Sequence, residues 1–198
     1  MGYNTAKREM QKGRYLNLCL AILFSLISLS SFSQKVISDT KDNGQRAIVT
    51  DFALFGKYVE MSGPIGVALE CKLSDGSSPE YFLLIRYKYL FPQTIAKEST
   101  MELNVGSTNQ KIILIANKEV TRAELEKKVF EDIYMPTANG TWYFGTSSYT
   151  ISEKDIELIT DNIVKSMRFV DEDFKISPLF TYGLEKAYKN ISKRLKKK

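Results

Sequence analysis

Residues Ile65 to Tyr89 read IGVALECKLSDGSSPEYFLLIRYKY, and this stretch decides the fold class. Ile65, Val67, Leu69, Cys71 and Leu73 alternate with Gly66, Ala68, Glu70 and Lys72, the period-two pattern of a strand with one buried face. Ser74-Asp75-Gly76-Ser77-Ser78-Pro79 supplies turn chemistry. Glu80 to Tyr89 then returns, with Tyr81, Leu83, Ile85, Tyr87 and Tyr89 on one face and Phe82, Leu84, Arg86 and Lys88 on the other. The segment is an antiparallel hairpin.

Strand signals extend on both sides of it. Ala47 to Phe55 alternates Ile48, Thr50, Phe52 and Leu54 against Val49, Asp51, Ala53 and Phe55. Met101, Leu103 and Val105 lead across the 106–110 loop into Ile112 to Ala116, a continuous apolar run that suits a central strand of a second hairpin. Asn139-Gly140 is a turn signal, and Thr141 to Tyr149 is rich enough in aromatics, Thr and Ser to be a strand. Thr121 and Glu124 form a capping box with Leu125, Val129 and Ile133 at helical spacing, while Val129 to Met135 also alternates. Both helix and strand stay open over 121–134, with a short helix giving way to a strand as the expected form.

Helices come late in the chain. Ser152 is an N-cap, Asp155 follows at the third helical position, and Ile156, Ile159, Ile163 and Met167 line one face. Phe169 to Ile176 is extended, Pro178 interrupts it, and a final helix from Phe180 carries a stripe of Leu184, Ala187, Tyr188, Ile191 and Leu195. The expected architecture is α+β: an antiparallel sheet of five to seven strands with two C-terminal helices packed on it. The run Tyr149-Thr150-Ile151-Ser152, Asp155-Ile156, Ile159, Ile163-Val164-Lys165 and Arg168 resembles a helix and following strand of small uncharacterised exported bacterial domains of unknown function. That resemblance implies an antiparallel sheet with a C-terminal helix layer and transfers no activity.

The N-terminus has the form of an export signal. Lys7, Arg8, Lys12 and Arg14 precede an uncharged run from Tyr15 to Ser33 that ends in Ser31-Phe32-Ser33, small residues where a signal peptidase needs them. Residues 1–33 are read as a signal peptide cut before Gln34, 34–45 as a flexible lead-in, and 46–198 as one globular domain, exported to the periplasm or secreted. The rival reading, a retained anchor, has a run that is short for a membrane crossing and diluted by Asn17, Ser25 and Ser28. Removing the signal takes away Cys19 and leaves Cys71 alone, so no intramolecular disulfide forms.

Charge reads differently by segment. The whole chain carries +5, of which the signal holds four cations against Glu9. Lys186, Lys189, Lys193, Arg194, Lys196, Lys197 and Lys198 close the chain with no acid among them, so the body between the two basic ends is acidic on balance. That withdraws compositional support for nucleic-acid binding by the folded core. Lys193, Arg194, Lys196, Lys197 and Lys198 are candidates for touching an anionic surface, or simply complement the helix dipole. Contact with a membrane is expected through the transient signal, or weakly through this tail.

The chain holds no histidine, which excludes His-based acid–base pairs and nearly every catalytic zinc arrangement. Ser38-Asp39-Thr40-Lys41 has the Ser-x-x-Lys spacing of a helical nucleophile but lacks its companion motifs. Cys71 falls between Leu69 and Leu73 on an apolar face, which suits core packing more than a thiolate. Glu131-Asp132 and Asp171-Glu172-Asp173 are acids expected on solvated surface, and no metal or cofactor site is assigned. Tyr81, Tyr87, Tyr89, Trp142, Tyr143 and Tyr149 are candidate ligand-binding rings if exposed, and core or sheet cover otherwise. The leading expectation is a non-catalytic exported interaction or structural domain of the cell envelope, whose partner is an envelope protein or a glycan. A glycan- or lipid-binding module is second and a carboxylate-dependent hydrolase third.

Overall fold

In the computed structural model, which describes residues 34–54, 62–106, 110–130 and 140–196, the sheet begins earlier than the sequence reading placed it. Val36–Asp42 (β1) pairs antiparallel with Gln45–Thr50 (β2) through a turn at Asn43-Gly44, both at positive φ. Asn-Gly is the pair that a two-residue hairpin turn of this hand prefers. The expected flexible lead-in is therefore a strand. Gln34 itself is buried, its Nε2 donating to the Val67 carbonyl at 2.6 Å and its own carbonyl accepting from Asn190 Nδ2.

Ala53–Leu54 (β3), Gly63–Ser74 (β4) and Glu80–Tyr89 (β5) follow, then Thr100–Val105 (β6), Gln110–Ala116 (β7), Glu126–Phe130 (β8) and Gly140–Ile151 (β9). Glu153–Asp161 (α1) precedes Val164–Phe169 (β10) and Glu172–Lys175 (β11), and Leu179–Leu195 (α2) ends the described chain. The strands form a single antiparallel sheet in the order β1-β2-β4-β5-β9-β7-β6-β10-β11, with β3 attached to β4 and β8 to β9. Eleven strands exceed the five to seven expected. The excess comes from the β1 hairpin, the two-residue β3, and the β10–β11 hairpin, whose turn at Val170-Asp171 lacks the usual Gly or Asn.

The expected β4–β5 hairpin forms, with Cys71 opposite Tyr81 and Leu69 opposite Leu83. The second hairpin, β6–β7, also forms. Its Ile112–Ala116 run is not doubly buried, however, because Ile113 and Ile115 are 59% and 51% exposed. β7 has a covered and an open face, and it meets β9 only at Ile115–Thr150 and Ala116–Tyr149. The capping box at Thr121 and Glu124 is present and holds a single 3-10 turn, Arg122–Glu124, before β8 starts. Asn139, the Ile133 to Met135 end of the ambiguous stretch and the Glu131-Asp132 pair lie outside the described residues.

Curling brings distant strands together. The Phe169 ring on β10 lies 5.4 Å from Tyr87 on β5, and Phe174 on β11 packs onto Gly63 of β4, where a Cβ would meet the ring at 2.4 Å. The inner face is thus a wall around one core, which includes Ile48, Leu69, Leu83, Ile85, Tyr87, Met101, Leu103, Tyr149, Met167 and Phe169. α2 closes that core with Phe180, Leu184, Ala187 and Ile191, lying against β4, β3 and β2. At Gly183 the helix comes so near Ala53 that an added Cβ would stand 2.8 Å from it. α1 starts at Ser152, whose Oγ accepts from the Asp155 N–H at 3.1 Å, and buries Ile156 and Ile159. No helix among the described residues is long and apolar enough to cross a membrane.

Candidate functional site

The six candidate rings divide by burial. Tyr81, Tyr87, Tyr89 and Tyr149 point inward and are 4%, 0%, 8% and 1% exposed, so they are core and not a surface for stacking. Tyr87 packs edge-on to Tyr89 at 6.1 Å and donates its Oη to the Gln93 carbonyl at 3.2 Å, while Tyr81 meets Tyr188 of α2 at 5.7 Å. Burial pushes the Tyr81 phenol up to about 12 and raises Tyr87, Tyr89 and Tyr149 as well. Trp142 and Tyr143 keep partial exposure; Tyr143 pairs across from Tyr89, whereas Trp142 belongs to the opposite, outer face.

On that outer face β5, β9 and β8 interleave cations with rings. Lys88 Nζ sits 4.4 Å from the centre of Trp142, while Arg86 and Lys128 lie 5.8 and 5.3 Å from that of Phe144. The register produces this arrangement: Lys88 is opposite Phe144, Arg86 opposite Thr146, and Glu126 and Lys128 opposite Phe144 and Trp142. Long side chains reach the diagonal neighbour, so each cation covers a ring one step along. Glu126 bridges two of them, Lys128 at 3.1 Å and Arg86 at 3.5 Å. Lys72 on β4 covers Phe82 of β5 in the same manner at 4.7 Å.

A break in the sheet adjoins this face. β7 leaves β9 at Ala116–Tyr149, one further bond joins Asn117 N–H to the Ser148 carbonyl at 3.0 Å, and β8 joins β9 only from Phe144 onward. Among the described residues no strand pairs with Gly145 to Ser147 on that side. The hollow left there is about 370 Å³ and is lined by Phe52, Phe144, Arg86, Lys118, Glu124 and Glu126 with Val120, Gly145 and Thr146. Gly145 is required locally, because the Tyr87 ring crosses beneath it and an added Cβ would lie 2.3 Å from that ring. At its border, Ser148 Oγ and Asn117 Oδ1 are buried without a hydrogen-bond partner.

The acids of the hollow are already engaged. Glu124 Oε2 accepts from the Thr121 N–H at 2.7 Å and from its Oγ at 3.1 Å, and these bonds hold its carboxyl below the ordinary value, with Lys118 adding attraction. A second hollow of about 300 Å³ lies at the β1–β2–β4 end, lined by Thr40, Asp42, Arg46, Lys72 and Glu80 among others. Arg46 there is held by both oxygens of Asp39, at 2.8 and 2.9 Å.

Other sequence candidates are dispersed. Ser38 and Lys41 lie on β1 on opposite faces, not one helical turn apart, so the spacing has lost its chemical meaning. Cys71 is buried, and burial raises its thiol to about 11. Asp171, Glu172 and Asp173 are exposed around the β10–β11 turn. Among the described residues no group of three or more Cys, Asp or Glu gathers at metal-binding distance. Lys193, Arg194 and Lys196 are exposed on or just past α2, with the Arg194 carbonyl accepting from Arg46 at 3.3 Å; Lys197 and Lys198 lie outside the described residues.

Sequence reading passed over Phe52, Arg86, Lys118, Glu124 and Glu126 as site residues. The available signal was Arg86 and Lys88 in an otherwise apolar strand, since two cations two residues apart mark the face that the core does not cover. Compared with known protein families, curated proteins and solved structures, the chain matches none.

Proposed function

We propose that this chain is a non-catalytic exported domain of the cell envelope that works by binding, and that its contact surface is the outer face of β9 with the adjoining hollow. The observation that carries the reading is the break in the ladder opposite Gly145 to Ser147, where aromatic, cationic and backbone groups meet in one concavity. The lining is more polar than the mainly apolar pockets of small-ligand sites, with Arg86, Lys118, Glu124 and Glu126 set around Phe52, Val120 and Phe144, which suits a polar or charged ligand. The Arg86–Phe144 and Lys128–Phe144 contacts extend the same chemistry over the neighbouring surface. The partner is an envelope protein or a glycan.

Export is supported by the basic, then apolar, N-terminus and by Ser31 and Ser33 before Gln34. N-terminal sequencing of the protein recovered outside the cytoplasm is expected to begin at Gln34; a retained Met1 or a wholly cytoplasmic protein overturns this part. For binding, the full chain is compared with a Phe144→Ala, Arg86→Glu double variant in retention of envelope components. A component held by the first and lost by the second supports the surface, and equal retention removes it.

A further inference from the structure

The hollow beside β9 has a polarity that narrows what it takes. Along a strand, residues two apart turn their N–H and C=O to the same side. The Ser148 carbonyl points across to Asn117, so the N–H and C=O of Thr146 point into the gap that β7 and β8 leave. Among the described residues no backbone group pairs with these two, and such a pair is a rung awaiting an extended chain.

The two cations of the lining, Arg86 and Lys118, are matched by two carboxylates, but both acids already have partners. Glu124 is tied to Thr121 by two bonds, and Glu126 already faces Lys128 at 3.1 Å. Arg86 spends one of its N–H groups on Glu126, at a loose 3.5 Å, and Lys118 has no ion pair among the described residues. Among the described residues the Arg86 side chain makes no other hydrogen bond, and a guanidinium with free donors is suited to grip a carboxylate through two parallel bonds. Phe52 and Phe144 supply apolar wall on the same lining.

We infer that the hollow receives the C-terminal end of an extended peptide: its carboxylate on Arg86 with Lys118 nearby, its last amides against Thr146, and an apolar final side chain on Phe52 and Phe144. Capture of a terminal carboxylate together with strand addition is an established way of reading peptide ends. This inference rests on the binding surface proposed above. It adds the ligand class.

The test uses the single tryptophan, Trp142, which lies two residues from Phe144 on the same face, as a fluorescent reporter in the full chain. The probes are acetyl-Ala-Ala-Phe with a free carboxylate, the same peptide with a C-terminal amide, and glucuronate as a carboxylate without a peptide backbone. The free acid is expected to bind at least about tenfold more tightly than the amide, the worth of one charge-assisted contact. Arg86→Gln removes that preference, and Lys118→Gln, at an exposed position, weakens it without endangering the fold. Equal binding of acid and amide overturns the carboxylate and leaves the surface standing. Glucuronate matching the acid overturns the Thr146 rung. Binding of none of the three removes the hollow as a binding site.

Discussion

β5 and β9 each carry aromatic side chains on both faces, and the two sets have opposite fates. Inward, Tyr81, Tyr87, Tyr89 and Tyr149 are sealed at 8% exposure or less and meet Phe169 and Tyr188 from elements far away in sequence. Outward, Phe144 and Trp142 keep partial exposure and are covered by Lys128, Arg86 and Lys88 from the next strands. The residue types are alike and the backbone is shared. What differs is the covering layer: the curled sheet and α2 close the inner side, whereas the outer rings are covered by cations, the buried Lys88 over Trp142 and the solvent-reaching Arg86 and Lys128 over Phe144. Aromatics on these strands are therefore core or contact according to what covers them, Phe82 being sealed outward and Tyr143 half-buried inward, and the comparison of Tyr87 with Phe144 predicts a large stability effect for the first and a small one for the second.

The largest effect is expected for Tyr87→Ala. That ring is fully buried, touches Tyr89 and Phe169 and ties the Gln93 carbonyl, so its loss should cost about 3–5 kcal/mol in urea unfolding. A cost under about 1 kcal/mol would show that the inner wall is not packed as a core.

Alkali probes the same wall without mutation. Burial raises the Cys71 thiol from 9.0 to about 11 and the Tyr81 phenol from 10.0 to about 12, so folding favours the protonated forms of both. Their contribution is complete below pH 9 and is lost as pH climbs through 11 to 12, because the unfolded chain releases those protons first. The urea midpoint should hold up to about pH 9 and fall steeply above it. A midpoint flat across that window would mean that the inner rings and thiol reach water.

Gly145→Ala tests the crossing point of the two faces. The added methyl would stand 2.3 Å from the Tyr87 ring, and that ring is not free to swing away, being wedged by Phe169 and Tyr89. A loss of about 1–3 kcal/mol is expected, the usual cost of overpacking. In a Tyr87→Ala background the same substitution should become nearly neutral, since the clashing ring is gone.

How much of this could be read from sequence follows from what each feature depends on. The β4–β5 hairpin was legible because its alternation and its Ser74–Pro79 turn are local. The β1–β2 hairpin was also written locally, in Asn43-Gly44, but the polar residues around that pair made it resemble a lead-in. Which face of β5 would be core was legible only from Arg86 and Lys88, because Phe82 and Leu84 look as apolar as Leu83 and Ile85. The choice is made by α2 and β10, at the other end of the chain. The hollow was the least legible feature, since it exists only because β7 ends and β8 begins at particular rungs of β9.

Phe144→Ala is the smallest effect and the sharpest test of the outer half of the comparison. Its ring is flanked by Arg86 at 5.8 Å and Lys128 at 5.3 Å, and both cations keep Glu126 as an alternative partner. Cation–ring contacts near solvent are worth about 0.5–1 kcal/mol each, and water replaces part of that when the ring is removed. The stability change should therefore stay near 1 kcal/mol, well short of Tyr87→Ala. Binding should respond in the opposite order. Phe144 lines the hollow, so its removal strips one apolar wall while the fold persists, whereas a Tyr87 variant loses affinity only in step with its folded fraction. Measuring urea midpoint and peptide affinity on the same two variants separates these outcomes. If Phe144→Ala costs as much stability as Tyr87→Ala, the outer rings are core too, and the division of labour between the two faces is lost.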